Sequence, residues 1–265
     1  MAIISHKRQC LERLNSEDQF FNDFYSRRPK AYENLPALER QAELYTSKIN
    51  KSFQFKKTET VLSLGCAQGR FELRFAPKVK KIIGMDVSEK GILLAKKKAK
   101  KLGIKNADFY VYDITQKLPF KDQSFDGVLA LGIFHHINIQ KLNPLLTEIN
   151  RVLKTNGFLY AIDPNAGGIL RIIGRTFFKK TYQSYHSPEE HDINNEELTK
   201  MCLEAGFKVE KKEFLDFCLA ESAFLWPNLP PIFFDFLFIF DKIWCNTPLI
   251  KHLSSQFSLF CRKRR

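Results

Sequence analysis

The sequence has no pair of cysteines at the spacing that zinc sites use. Its six cysteines are scattered, without a C-x-x-C pair, so we predict no metal site. Scattered thiols suit a reducing compartment, and the first ten residues lack the apolar core of a signal peptide,. The apolar runs fall far short of the ~20 residues that span a bilayer. We expect a cytoplasmic protein, with peripheral contact to the inner face of a membrane left open.

Acidic residues are scarce relative to basic ones. Lys and Arg number 42 against 29 Asp and Glu, which gives a formal net charge of +13. This charge favours an anionic membrane surface or a polyanion as partner, although solvated helix faces also account for lysine runs. Segment 229–244 is dense in aromatic residues, and a helix there would carry Asp235, Asp241 and Lys242 on a narrow polar side,. Membrane or lipid contact and a buried lid or dimer contact remain equal alternatives for it.

Strand and helix patterns alternate through the middle of the chain with short connections. Helix-spaced apolar residues recur between short apolar runs, which predicts a parallel α/β sheet with right-handed crossovers. We also predict a helix closed by Asn156-Gly157, an irregular segment at 164–194, and a helix capped by Asn194,. The predicted strands cover residues 61–65, 81–86, 107–112, 125–131, 157–163, 207–214 and 254–263.

The first predicted strand runs into the glycine loop of VLSLGCAQG, residues 61–69. Gly65 and Gly69 lack a Cβ, so a ligand can approach the backbone closely, and the next helix points its N–H groups at that ligand. Asp86 ends the second strand, where a carboxylate can accept ribose hydroxyls. Asp113 ends the third strand, where it can accept from an adenine amino group. Together these strand ends predict a nucleotide-containing cofactor.

A dinucleotide is the weaker candidate, because the loop GCAQG does not fit the motif G-x-G-x-x-G,. The stretches VLSLGCAQG, GMDVS, LPF with SFD, LGIFHHI and INRVLKTNGFLYAIDPN instead resemble class I S-adenosylmethionine-dependent methyltransferases, over about residues 60–165. The resemblance implies a Rossmann-like α/β fold with helices on both faces of a mostly parallel, seven-stranded sheet and an antiparallel last strand. We divide the chain into an N-terminal helical cap, 1–57, and a methyltransferase domain, 58–265.

The resemblance also implies roles for single residues. The glycine loop would pass under the methionine part of S-adenosylmethionine, Asp86 would bind ribose, and Asp113 would bind adenine. The chain departs from the family pattern at Ser63, where an acid is usual, and at Ala67, where glycine is usual. A cofactor-binding relative without turnover therefore remains an alternative. The implied cofactor-binding residues are Gly65, Ala67, Gly69, Asp86, Val87, Asp113, Ile114 and Leu131.

Paired imidazoles follow the fourth predicted strand, in LGIFHHI. His136 or His135 is the candidate catalytic base for an acceptor that must lose a proton, because imidazole titrates near neutral pH. Both histidines could equally do no more than shape the pocket. Asp163, at the end of the fifth predicted strand, could orient a substrate hydroxyl or cap its own turn.

Two long segments leave the carboxyl edge of the predicted sheet, where open parallel sheets bind ligands. These inserts, 164–194 and 215–253, are rich in aromatic residues, and we expect them to form the acceptor pocket or a lid. The expected acceptor is a small apolar, aromatic or lipid-linked molecule. RNA is the alternative that the charge favours, but no RNA-binding module is visible, so a nucleic-acid partner is not expected. No particular oligomeric state is predicted.

Overall fold

The computed structural model describes residues 16–27, 36–180, 190–219, 222 and 230–264. Within these residues the chain forms one seven-stranded sheet. The strands are β1 Thr60–Leu64, β2 Lys81–Asp86, β3 Ala107–Val111, β4 Phe125–Leu131, β5 Leu153–Pro164, β6 Phe207–Asp216 and β7 Gln256–Lys263.

The strand order across the sheet is β3-β2-β1-β4-β5-β7-β6. The strands from β3 to β5 in this order are parallel, and β7 runs antiparallel to both β5 and β6. The order reverses at β1, which lies between β2 and β4, so the carboxyl ends of these strands form the crevice where open α/β sheets bind ligands. The predicted fold is confirmed.

Helices cover both faces of the sheet. They are α1 Ser16–Arg27, α2 Pro36–Ser52, α3 Glu72–Phe75, α4 Glu89–Lys101, α5 Ile139–Val152, α6 Ile169–Phe177, α7 Asn195–Glu204 and α8 Pro231–Trp244. Alternate strand residues point to opposite faces, so Val61 packs in one core and Leu62 in the other,. Helices α2, α3, α4 and α8 contribute to the first core, whereas α5 and α7 contribute to the second.

Side chains cap the N-termini of helices α4 and α7. The Ser88 hydroxyl accepts the Gly91 N–H at 3.1 Å where α4 begins. Asn194 accepts the Glu197 N–H at 2.8 Å where α7 begins, which confirms the predicted cap,. Each cap satisfies an N–H group that has no partner within its own helix.

Two local predictions are wrong. Helix α5 ends at Val152 and β5 begins with the next residue, so Asn156, with a φ of 62°, lies inside β5 rather than at a helix end. Its left-handed backbone accompanies a shift in the pairing of β4 with β5,. Segment 164–194, predicted to be irregular, contains the helix α6. Its apolar residues face outward, so it lacks the usual pattern of a helix that covers a core.

Helix α2 is tied to the far side of the sheet by polar contacts. The Tyr45 hydroxyl donates to Asp216 and lies 2.9 Å from the Gln256 side-chain oxygen. Lys48 Nζ donates to the Leu215 carbonyl at 2.6 Å, and burial lowers the pKa of this lysine. Helix α2 thus shares the core of the sheet, and the boundary proposed at residue 57 stays a prediction.

Helix α8 is held by a buried acid. Asp241 is 1% exposed and accepts the main-chain N–H groups of Cys218 and Leu219, each at 3.1 Å. Asp235 accepts from Arg40 Nε of α2 at 3.0 Å. The two acidic residues on the polar side of α8 therefore contact the protein, whereas Lys242 is exposed. Among the helices in the described part of the chain, none is long and apolar enough to cross a membrane.

Removing the Asp241 carboxylate leaves two buried N–H groups without their acceptor. We expect Asp241→Ala to lower the free energy of unfolding by about 2–3 kcal/mol, measured by urea denaturation. Asp235→Ala on the same helix removes a half-exposed ion pair and should cost less than about 1 kcal/mol. Equal losses in the two variants would contradict the anchoring role of Asp241.

Candidate active site

The loop after β1 takes a backbone that only small residues adopt easily. Gly65, Ala67 and Gly69 have φ angles of 68°, 48° and 72°, in the left-handed region that glycine enters without strain. The N–H groups of Gly65 and Cys66 both donate to the Met85 carbonyl, at 2.8 and 3.1 Å. Glycine is usual at position 67 because the φ angle there is positive. Alanine can adopt the same turn at a cost of about 1 kcal/mol.

Asp86 joins this loop to the start of α4. Its two carboxylate oxygens accept the N–H groups of Ala67 and Ser88, at 2.8 and 2.9 Å. Burial raises the pKa of Asp86, while these hydrogen bonds and the nearby His136 imidazole oppose the rise. Asp86, the residue predicted to bind ribose, therefore lies in contact with the glycine loop, and the next residue, Val87, is half-buried.

The carboxylate that the family pattern leads one to expect at position 63 comes from α3 instead. The Ser63 hydroxyl donates to Glu72 Oε1 at 2.6 Å, and both residues are buried. Burial raises the pKa of Glu72 to about 7. Its second oxygen, Oε2, is buried and has no hydrogen-bond partner among the described residues. Sequence analysis missed Glu72 because it stands outside the loop motif.

Asp113, the third acidic residue of the predicted site, forms hydrogen bonds within its own turn. Asp113 accepts the Thr115 N–H at 2.9 Å and the Thr115 hydroxyl at 2.8 Å, and Gln116 Nε2 lies 3.2 Å from its other oxygen. Ile114 is buried in the hydrophobic core on the α5 side of the sheet. A role of Asp113 with Ile114 in binding adenine stays a prediction.

The end of β4 opens toward the crevice. Leu131 pairs with Ile162 of β5, and the next residue, Gly132, has a φ of 73°. A Cβ on Gly132 would meet no atom within 4 Å, whereas a Cβ on Gly65 would lie 2.6 Å from the Ile133 side chain. The glycine loop thus packs against the segment after β4, which brings the predicted cofactor-binding and catalytic residues together.

His135 is held by a buried aspartate. Asp163 Oδ1 lies 2.8 Å from His135 Nδ1 and also accepts the His135 main-chain N–H at 3.2 Å. Asp163 is fully buried, and burial raises its pKa well above the usual range. Asp163 thus orients the imidazole of His135. A role toward a substrate hydroxyl stays a prediction.

His136 borders a second group of charged residues. Its ring lies 4.0 Å from the ring of His135, and its Nε2 is 3.8 Å from Glu190 Oε1. Glu190 Oε2 in turn is 3.7 Å from the Arg171 guanidinium of α6. The half-buried neighbour His191, whose main-chain N–H donates to the His135 carbonyl, has a pKa lowered by desolvation. Glu190 and Arg171 were missed because only tertiary packing brings them here.

Among the described residues, His135, His136 and Glu190 have ligand-type atoms within 4.8 Å of one another. Three such groups can hold a metal ion in principle. Here the Nδ1 of His135 is engaged by Asp163 and the Glu190 carboxylate by Arg171, so a cation would meet the positive charge of the guanidinium. The absence of a metal site stays a prediction.

Helix α1 covers the junction between the two halves of the site. The Ser88 hydroxyl lies 3.0 Å from Asn22 Oδ1, and the Phe21 ring meets the His136 ring edge-on, 5.3 Å between centroids. One helix therefore contacts both the cofactor-side loop and the histidine pair. The sequence predicted an N-terminal helical cap, but not these partners.

The residues present fit S-adenosylmethionine. A positively charged sulfonium and ammonium suit a crevice with the carboxylates of Glu72, Asp86 and Asp113. Glu72 Oε2 is a buried oxygen whose partner is not among the described residues, and Gly132 borders open space. The glycine loop supplies the close backbone approach that a bulky nucleoside needs.

A Rossmann-like sheet with a glycine loop and strands that end in carboxylates defines a protein that binds a nucleotide-containing cofactor. The chain belongs to the methyltransferase-domain family, whose model matches residues 55–206, more than half of the sequence. It is a class I S-adenosylmethionine-dependent methyltransferase, as its motifs predicted.

Several relatives have named activities. A probable (S)-tetrahydroprotoberberine N-methyltransferase 2 of Papaver bracteatum is 33% identical over 42% of this chain, and the match spans only 32% of that protein. The demethylmenaquinone methyltransferase of Oceanobacillus iheyensis is 29% identical over 62% of this chain and 76% of that protein. A crystal structure of a putative methyltransferase from Bacillus halodurans has the same fold, with a TM-score of 0.59 at 21% identity over 83% of this chain and 99% of that one.

Glu72 makes stability depend on pH in a direction that follows from its pKa. The folded state holds the proton of Glu72 up to about pH 7, whereas a glutamate in the unfolded chain loses it near its ordinary pKa of 4.5, so the folded state binds more protons between these values. The free energy of unfolding should therefore fall as pH rises through this window, by about 3 kcal/mol from this group. Glu72→Gln cannot titrate and should lose that part of the pH dependence.

Urea denaturation at pH 5 and pH 8 measures the effect as the difference between wild type and variant. Glu204→Gln, in the exposed last turn of α7, is the control and should follow the wild type. If Glu72→Gln keeps the pH dependence of the wild type, Glu72 does not carry the buried proton.

Proposed function

We propose that this chain transfers the methyl group of S-adenosylmethionine to an oxygen or nitrogen of a small, apolar, ring-containing acceptor, with His135 as the base. The observation that carries the proposal is the 2.8 Å contact between His135 Nδ1 and buried Asp163 Oδ1, next to the glycine loop. Paired carboxylate and imidazole at the cofactor crevice is an arrangement for removing a proton at neutral pH.

The cofactor would be held by the residues that surround the loop. Gly65, Ala67 and Gly69 would line the methionine part, Asp86 would accept the ribose hydroxyls, and Glu72 would supply the carboxyl group usually found at position 63. When bound, S-adenosylmethionine supplies a methyl group that the positive sulfur already activates. The protein therefore needs chiefly to align the acceptor and exclude water.

Asp163 determines which nitrogen of His135 is basic. Its Oδ1 accepts the main-chain N–H of His135, so this oxygen acts as an acceptor and we assign the imidazole proton to Nδ1. The lone pair of the neutral ring is then on Nε2, which takes the proton that the acceptor loses. The positive charge of the resulting imidazolium opposes the effect of burial and favours the ionised form of Asp163, which stabilises the imidazolium until its proton returns to solvent.

The surroundings of His135 favour reaction away from water. The ring of His136 lies on one side, and Phe21 of α1 covers His136 in turn. His135 itself is buried. A water-poor site strengthens the attraction between a carboxylate and an imidazolium, and an acceptor with little polarity loses little solvation on entering it.

Two relatives carry acceptor names that support an apolar ring compound, a tetrahydroprotoberberine and a demethylmenaquinone. The aromatic content of the inserts supports the same class. Of the residues behind that prediction, Tyr182, Tyr185, His186, Phe224 and Trp226 lie outside the described residues. The role of the inserts as acceptor pocket therefore rests on the sequence.

The acceptor class can be measured without knowing the acceptor. Cell extract incubated with methyl-labelled S-adenosylmethionine should transfer label to the organic-extractable fraction when wild-type protein is added. Transfer to RNA, protein or polar metabolites instead would contradict the proposed acceptor. Gly65→Val, which forces a side chain against Ile133, is the matched control and should transfer no label.

Replacing the base should reduce turnover while cofactor binding persists. His135→Ala should lower kcat by about 100-fold or more, and Asp163→Asn should lower it too and shift the acidic limb of the pH–rate profile. S-adenosylmethionine affinity, measured by calorimetry, should stay near wild type in both. The exposed imidazole variant His252→Ala is the control. Near-normal turnover of His135→Ala across the pH range would refute the assignment.

A further inference from the structure

Helix α8 presents an apolar face to the outside of the protein. Six large apolar side chains on it are between 44% and 65% exposed: Ile232, Phe233, Phe236, Ile239, Phe240 and Ile243. At 100° per residue they occupy one continuous sector of about 120°, with no polar residue among them. Most surface helices have the opposite arrangement, in which the apolar sector covers the core.

The polar contacts of α8 fix this orientation. Asp241 bonds the buried N–H groups of Cys218 and Leu219, and Asp235 pairs with Arg40. Rotating the apolar sector inward would break these bonds and leave a carboxylate without its donors. The outward apolar face is therefore a stable property of the fold.

Helix α6 has the same inverted arrangement. Its charged residue Arg171 is 5% exposed and lies 3.7 Å from Glu190. Its apolar residues Ile169, Ile172 and Ile173 lie on the outside, and Phe177 at its end is 76% exposed. Both helices therefore bury a charged residue, Arg171 or Asp241, while a second set of large apolar side chains stays exposed, which marks an interaction surface.

The two helices form one surface because they share a small core. Leu170 of α6 and Leu237 of α8 pack against the same buried cluster, which contains Phe217, Cys218 and Cys245. We call the outward residues of α6 and α8 the two-helix face. Both helices follow strands that end at the carboxyl edge of the sheet, so the face adjoins the candidate active site.

Basic side chains accompany the two-helix face. Exposed Lys179 and Lys180 follow α6, exposed Lys242 flanks the apolar sector of α8, and Lys251 follows in the next turn. The whole chain carries a formal net charge of +13. Apolar side chains bordered by lysines match the interface of an anionic bilayer, where hydrocarbon enters the acyl boundary and ammonium groups meet the lipid phosphates.

We propose that the two-helix face docks on an anionic lipid membrane. Hydrocarbon burial and lysine–phosphate attraction act together there, as interfacial helices require. A second copy of the chain would bring its own lysines against these lysines, and like charges oppose that contact. Membrane docking uses no residue assigned to catalysis or cofactor binding; the two helices lie in the inserts that are expected to form the acceptor pocket.

Vesicle flotation tests the proposal with the full chain. Vesicles of phosphatidylcholine mixed with phosphatidylglycerol should bind the wild type, vesicles of phosphatidylcholine alone should bind it less, and added salt should weaken binding. The double variant Phe236→Asp with Ile243→Asp places charges at the centre of the exposed sector and should lower the bound fraction about tenfold or more.

Leu93→Asp with Leu102→Asp is the matched control. Leu93 in α4 and Leu102 directly after it are as exposed as the two replaced residues, and the charge change is the same. Helix α4 packs on β2 and β3 at the opposite end of the sheet. Retained binding supports the proposal. An equal loss in both double variants, no binding by the wild type, or a dimer in sedimentation that only the α8 variant dissociates would each overturn it. Because no cofactor or acceptor is present, failure here leaves the methyl-transfer proposal to its own test.

Discussion

Carboxyl groups that accept main-chain N–H groups hold three segments of this protein in place. Asp86 holds the glycine loop to the start of α4, Asp163 holds the histidine turn, and Asp241 holds α8 to the segment after β6. Burial raises the pKa of each carboxyl group, so the ionised form of each depends on its hydrogen-bond donors for stability in the interior. Losing a donor and losing the carboxylate therefore have similar consequences, because either leaves a buried polar group unmatched.

The same carboxyl edge joins cofactor chemistry to acceptor chemistry. The glycine loop packs on the residue that precedes the histidine turn, through Gly65 and Ile133, and α1 touches both halves through Asn22 and Phe21. Methyl transfer demands that donor and acceptor be aligned within a few ångströms. One short contact and one covering helix connect the two halves of the site, and they hold the two halves close together.

Much of the fold follows from the sequence because parallel α/β sheets alternate strand and helix patterns so regularly. Positions at strand ends, such as Asp86 and His135, were predictable for the same reason. Glu190 and Arg171 were not, because neither belongs to a local motif and only the path of the chain after β5 brings them to His136. For α8, periodicity predicted a polar and an apolar side, but it cannot tell which side faces the core, since that depends on the partners of Asp241.

In the pairing of Ser63 with Glu72, the carboxyl group comes from a residue outside the sequence motif. The acid that is usual in the family pattern on the first strand is absent here, and the serine at that position donates a hydrogen bond to a carboxyl group one helix later. A pattern search that insists on an acid in the strand would class such a chain as inactive. Sequence comparison in this family gains by scoring the two positions jointly, so that an acid in either one counts as the same site.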